Sequence, residues 1–278
     1  MVTRTSVLVI LGRVFVRAFL LALAVVVIYP LLWMLLNGVK SNAELFANPF
    51  ALPVAWRWEN YATAWNRGVG DYLTTSVLVT VASTVTTVFV SAWAAYGLTK
   101  VSIPFSRTVL ILILAGLMLA PTVALIPLVK MFQAMGLHNS FWALLILYTA
   151  FRVPFTTFLI RAYMMDLPAE VDEAAAVDGA SKSRAFWQII LPMCRPIIVS
   201  TVLLNILFTW NEYLFAMIFT SGGALQTLPV GLTNLMSKHG TDYPVVFAGM
   251  AIAALPVIVL FFAGQRYFIR GLADGVGK

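Results

Sequence analysis

Residues 18–36 read AFLLALAVVVIYPLLWMLL, an uncharged run set directly behind Arg13 and Arg17. A helix that crosses a bilayer needs about 20 apolar residues, because every backbone polar group must be bonded inside the segment itself. The run is longer than a signal-peptide core and no small-residue cleavage site follows it, so it is expected to be a retained span over 14–36. Outward from it the same reading repeats. Residues 72–99 are uncharged and rich in Val and Thr, with Ala94, Ala95 and Gly97 near the end. Residues 108–132 contain Pro121 and Pro127, which predict a kink, and 140–162 are interrupted by Arg152 and Pro154. Residues 195–220 carry Asn205, Asn211 and Glu212, and 244–266 close the set. Few residues separate the second and third runs, which predicts a tight helical hairpin. The fold class is therefore all-α integral membrane, with about six transmembrane helices in a single domain over 1–278.

Composition agrees. The chain is 61% hydrophobic and 10% charged, where soluble domains carry about 25% charged residues. Its mean hydropathy is +0.93. The net charge of +7 is spread without a dense basic stripe, which argues against nucleic acid. A single cysteine, Cys194, excludes an internal disulfide, and His138 and His239 stand apart, without metal-ligand spacing. No G-x-x-x-x-G-K-[ST] sequence occurs, so no P-loop is available to hold phosphates. Neither a fixed-period repeat nor an inverted pair of broken helices is visible.

Basic residues set the expected orientation. With the N-terminus in the cytoplasm, the inside segments hold Arg4, Arg13, Arg17, Lys100, Arg107, Arg161, Lys182, Arg184, Arg195, Arg266, Arg270 and Lys278, while Lys40, Arg57, Arg67, Lys130 and Lys238 fall outside. That asymmetry places both termini in the cytoplasm. The outer loop over 37–71 contains Trp56, Trp58, Tyr61 and Trp65, suited to the headgroup interface.

The longest inner loop contains LPAEVDEAAAVDGAS, residues 167–181. Pro168 suits the first position of a helix, and the acids after it suit the positive end of the helix dipole. Gly179 suits its end. The loop predicts a short alanine-rich helix whose small face, Ala174 and Ala175, fits a cleft on a partner, with Glu173 free to meet a cation. A second amphipathic piece with Phe186, Trp187, Ile189 and Ile190 follows and leads through Leu191-Pro192 back to the membrane.

Glu173-Ala174-Ala175, Gly179, Ile189 and Leu191-Pro192, at these spacings, resemble the EAA loop of permeases from binding-protein-dependent ABC importers. Further motifs resemble the carbohydrate-uptake branch of that family, that of the smaller membrane subunit of the maltose importer. They are Asn60-Tyr61, Leu125-Ile126-Pro127-Leu128, Gly136-Leu137, Trp210-Asn211-Glu212, Thr227-Leu228-Pro229-Val230-Gly231-Leu232, and Gln265-Arg266-Tyr267-Phe268 with Gly271-Leu272. The tail Gly271 to Lys278 follows the family pattern loosely at Ala273-Asp274-Gly275-Val276.

The resemblance implies a type I ABC importer permease fold in the inner (cytoplasmic) membrane, with residues 167–186 as a coupling loop that docks into an ATPase subunit. It assigns coupling to Glu173, Ala174, Ala175, Asp178, Gly179 and Ala180. It also implies a second permease subunit, two ATPase subunits that bind ATP and Mg, an extracytoplasmic solute-binding protein and membrane lipid as partners. This chain would bind no cofactor or metal, and would be a transport subunit without its own ATPase site. The expected cargo is a sugar or oligosaccharide. A non-sugar solute is the nearest alternative, and an ion-coupled secondary transporter a more distant one. A membrane enzyme lacks a converging set of catalytic groups.

Candidate pathway residues are Arg152, Asn205, Trp210, Asn211, Glu212 and Tyr213. The charges of Arg152 and Glu212 fall in predicted spans, where each costs at least about 2.5 kcal/mol uncompensated, so either they pair or meet backbone carbonyls, or they line the route of the solute. Asn205 and Asn211 suit interhelical bonding as well as substrate contact. Trp210, Tyr213 and Tyr148 suit sugar stacking or plain packing.

Overall fold

The structure, a computed structural model, describes the backbone of residues 4–101, 103–220, 225–236 and 241–276, and the side chains between 12 and 265 within those ranges. Lys238, His239 and the last two residues lie outside the described residues, as do the side chains of Arg266, Arg270 and the rest of the tail. Helices follow one another in chain order: α1 (Arg4–Gly38), α2 (Asn42–Ala47), α3 (Glu59–Ala64), α4 (Gly70–Lys100), α5 (Ser106–Ala115), α6 (Pro121–Ala134), α7 (Phe141–Met165), α8 (Ala169–Val177), α9 (Lys182–Ala185), α10 (Leu191–Met193), α11 (Arg195–Asn211), α12 (Leu214–Phe219), α13 (Leu228–Asn234) and α14 (Tyr243–Val276). Two π-helical turns, Trp65–Val69 and Phe186–Ile190, lead into α4 and α10.

Among the described residues, four stretches are each long and apolar enough to cross a membrane: Gly12–Gly38, Glu59–Lys100, Phe141–Met165 and Tyr243–Gln265. Six is reached only if two sharply bent pairs each count as one span. The first pair, Ser106–Met118 with Pro121–Ala134, turns by 100°. A single kinked helix over 108–132 is therefore replaced by two helices. Pro121 drives its predecessor out of helical space, and both Leu119 and Ala120 are extended, with ψ of 108° and 125°. Pro121 then opens α6, where its missing N–H costs nothing, and Pro127 stays inside that helix. In the second pair, Lys182–Met193 with Arg195–Asn211, the bend is 77°. The expected run over 195–220 is also broken further on, since α11 stops at Asn211 and α12 begins at Leu214.

The chain packs as two units, Met1–Val69 with Leu232–Leu255, and Gly70–Gly231 with Pro256–Lys278. In the first, the α1 residues from Gly12 to Leu32 are exposed, whereas Asn37 to Lys40 at its C-terminal end are buried. Trp33 meets Phe247 edge to face at 5.1 Å. Asn60 Nδ2 donates to the carbonyls of Gly38 (2.9 Å) and Lys40 (2.8 Å), and Lys40 Nζ to those of Asn48 and Pro49. Ser41 and Glu44 form a capping box at α2, and the Ser41 N–H holds the Glu44 carboxyl below the usual carboxylate range. Trp56 and Trp58 stack at 6.0 Å and stay exposed.

The second unit is built on α4. Its buried stripe, Ser76, Val79, Thr80, Ser83, Thr84, Thr87, Val88, Ser91, Ala92 and Ala95, recurs at three and four residues and is mostly small. Small residues let backbones approach where the hydrophobic effect gives no drive, and α4 lies along α7 over most of its length. Gly231 shows the same demand: a Cβ there would stand 2.1 Å from the Tyr72 ring. The break after α11 brings its own donors and acceptors. Glu212 accepts from the N–H groups of Phe215 (2.8 Å) and Ala216 (3.1 Å) at the start of α12, and from the Tyr148 hydroxyl at 2.7 Å.

Replacing Asn60 with Leu strands two buried carbonyls and is expected to destabilise the protein by about 2 kcal/mol, read as a lower melting temperature in detergent. Tyr148→Phe and Glu212→Gln should show a coupling of about 1.5 kcal/mol in a double-mutant cycle by SDS titration, because they share a charge-assisted bond. Arg152→Met with Glu212→Gln should add within about 0.5 kcal/mol.

Candidate functional site

The loop after α7 folds as the sequence implies, with one register difference. Pro168 caps rather than opens α8, which begins at Ala169 with Glu170 and Asp172 in its first turn. At the other end Asp178 closes the helix and Gly179 takes φ +70°. The Ala180 N–H reaches the Ala175 carbonyl at 2.9 Å and the Gly179 N–H reaches that of Ala176 at 3.1 Å, the two bonds of a Schellman cap. A Cβ at Gly179 would meet nothing within 4 Å, so within this chain the constraint is backbone conformation rather than space.

The rotation of α8 about its axis divides the candidate residues. Val171 packs against a core of Ala92, Ala95, Tyr96, Ile160, Met164 and Phe186, and Ala175 is buried. Asp172 receives Lys100 Nζ at 2.7 Å, tying α8 to the end of α4, and the Tyr96 hydroxyl donates to the Lys182 carbonyl at 3.0 Å. The expected docking face of Ala174 with Ala175 is thus corrected: Ala175 faces its own chain, because three to four residues separate it from Val171 and Asp172 on one side of the helix. The outward side carries Glu170, Glu173, Ala174 and Val177, the last 87% exposed. Asp178 and Gly179 are exposed with it, and Ala180 is half-buried. Sequence reading missed Val177, an apolar residue that no core claims, and Asp172, the anchor.

Within the predicted spans Arg152 and Glu212 do not meet. The ion pairs formed among the described residues are Arg67 with Asp242 and Lys100 with Asp172. Glu212 is held by Tyr148 and α12, as above. Arg152 Nε donates to Asn205 Oδ1 at 3.0 Å, and its guanidinium lies over the rings of Phe208 (4.5 Å) and Phe155 (5.1 Å). Asn205 is itself fixed, its Nδ2 donating to Thr156 Oγ1 (3.1 Å) and the Thr201 carbonyl (2.8 Å). Tyr148 is only 1% exposed and presents no free ring face, while Trp210 is buried in α11. Asn211 is exposed and turns back to the Leu207 carbonyl at 2.7 Å, and Tyr213 is exposed at 39%. Arg152 and Asn205 are thus brought together, while Glu212 is held by Tyr148 and α12. No group of three or more His, Cys, Asp or Glu side chains able to hold a metal occurs among the described residues.

Residues 8–274 match the family described as "Binding-protein-dependent transport system inner membrane component". The probable ABC transporter permease protein YurM of Bacillus subtilis is 43% identical over 96% of this chain and 89% of its own length. The diacetylchitobiose uptake system permease protein NgcG of Streptomyces coelicolor is 34% identical over 93% and 87%. Among solved structures, a chain of a bacterial ABC transporter involved in the import of the acidic polysaccharide alginate superposes with a TM-score of 0.82, covering 96% of this chain and 98% of that one at 23% identity. The fold is accordingly that of a type I importer permease. With the family matched over nearly its whole length, the chain belongs to the inner membrane components of binding-protein-dependent transport systems.

Proposed function

We propose that this chain is a channel-forming permease subunit of an ATP-driven importer that moves a sugar or oligosaccharide into the cytoplasm. The observation that carries the reading is the two-sided α8. One side is bolted to the membrane helices through Val171, Ala175 and the Asp172–Lys100 pair, and the other offers Glu173, Ala174 and Val177 to a partner. A helix held that way transmits a push from outside the chain to α4 and its neighbours. The family lacks an ATPase site of its own, so the push comes from two ATPase subunits that bind ATP and Mg. Glu173 meets a cation on their surface, and Val177 an apolar depression beside it. A second permease subunit completes the channel, and an extracytoplasmic binding protein delivers the solute. The carbohydrate cargo rests on relatives such as the diacetylchitobiose permease. The six spans, with both termini and α8 in the cytoplasm, rest on the placement of Lys and Arg.

Labelling of single cysteines in a Cys194→Ser background is expected to reach position 58 from outside intact cells and position 173 only after the membrane is opened. Outside labelling at 173 refutes the topology. Glu173→Lys sets like charges together at a docked interface, at about 3 kcal/mol, and should lower coupled sugar uptake in proteoliposomes about 100-fold. Gly179→Val forces a β-branched residue into left-handed space and should act the same way while the chain still accumulates in the membrane. Full uptake and normal ATPase co-purification by both variants would end the proposal.

A further inference from the structure

The sequence places Arg152 near the middle of a predicted span, and no described residue of the chain sets a carboxylate against its charge. Glu212, the carboxylate that sequence depth sets nearest, is fully engaged by Tyr148 Oη at 2.7 Å and by the N–H groups of Phe215 and Ala216. No other carboxylate pairs with Arg152 among the described residues. Asn205 supplies an acceptor at 3.0 Å, which positions the side chain but adds no negative charge. The rings of Phe208 and Phe155 occupy positions over the guanidinium.

The arrangement is one of preparation rather than of neutralisation. Nε is tied to Asn205, which Thr156 and Thr201 hold in turn. No described residue bonds the two terminal nitrogens, and the side chain is only half-buried. What remains is the outer edge of a planar fork whose parallel N–H groups match the two oxygens of a carboxylate or sulfo group. A sugar hydroxyl fills one such position but cannot balance the charge.

From this we infer that Arg152 recognises an oxyanion on the solute, so that the imported sugar is an acidic one. The inference rests on the importer reading above and narrows its substrate class. Asn205 acts as the positioning residue.

The test uses the whole importer, with both permease subunits and the ATPases co-expressed, purified and placed in lipid nanodiscs. Its melting temperature is followed against galacturonate and, at ionic strength matched with sodium chloride, against galactose. Galacturonate is expected to raise the melting temperature in a saturable way and galactose to leave it unchanged. Arg152→Met should weaken the galacturonate response at least about tenfold, the loss of a charge-assisted bidentate contact. Where that variant does not accumulate, Arg152→Lys keeps the charge without the fork, and its response should still weaken several-fold. Equal effects of the two sugars, or none, overturn the inference. So does an Arg152→Met complex that loses its second permease subunit while galacturonate is inert on the wild type, since a neighbouring chain's carboxylate then neutralises the arginine. An ATPase that co-purifies while both sugars are inert sinks only the acidic-sugar inference. No co-purifying ATPase sinks the importer reading beneath it.

Discussion

Hydrocarbon offers no hydrogen bonds, and each place where this chain leaves the helix within an apolar run must therefore carry its own donors and acceptors. The constraint is visible at the break after α11. At the end of α11, Glu212 turns its carboxylate onto the first N–H groups of α12 and takes a third bond from Tyr148. On α4 the hydroxyls of Ser83 and Thr99 fold back onto carbonyls one turn earlier, and Ser91 reaches across to the Val153 carbonyl. At Ser83 and Ser91 the small side chains that line the stripe are also bonded, whereas the buried Thr84 hydroxyl finds no partner among the described residues.

The segment outside the apolar runs follows a different logic. A helix as short as α8 is marginal by itself, and the Lys100–Asp172 pair and the Val171 contact hold it to the ends of the membrane helices. An exposed ion pair adds little, but the Lys100 side chain is only 10% exposed and the pair is correspondingly less screened. The π-helical turn Phe186–Ile190 continues the anchoring: Phe186 packs on Trp93 and Tyr96, and Trp187 on Phe89. The loop is thus fixed along one side and offered along the other.

Much of this was legible in the sequence, and the residues show where legibility stops. The apolar runs coincide with the long helices α1, α4, α7 and α14, since run length depends on composition alone. The cap at Gly179 was legible because it is local: only glycine enters left-handed space cheaply, and it stands just past a helical run. The phase of α8 was not, since Ala174, Ala175 and Ala176 are alike in size and only the anchors at Val171 and Asp172 say which one turns inward. Arg152 and Glu212 were placed by depth, which fixes a height in the membrane but no direction around the helix, and they turned out to point to different partners. Pro121 announced a bend but not one of 100°, which arises from two consecutive extended residues. The motif around Gly231 was recognisable as a word, and its reason appears only with the Tyr72 ring laid against it.

The long exposed stretch of α1 has a mechanical meaning. The helix is clamped at Asn37–Lys40, and every residue from Gly12 to Leu32 is exposed among the described residues. At 1.5 Å per residue, the free arm from Gly12 to Leu32 is about 30 Å long. A swing of about 10° about the clamp then carries its far end roughly 5 Å sideways without breaking a single backbone bond. The chain thus holds a rigid rod on a pivot, whose angle in the bilayer is decided by whatever lies beside it rather than by its own fold.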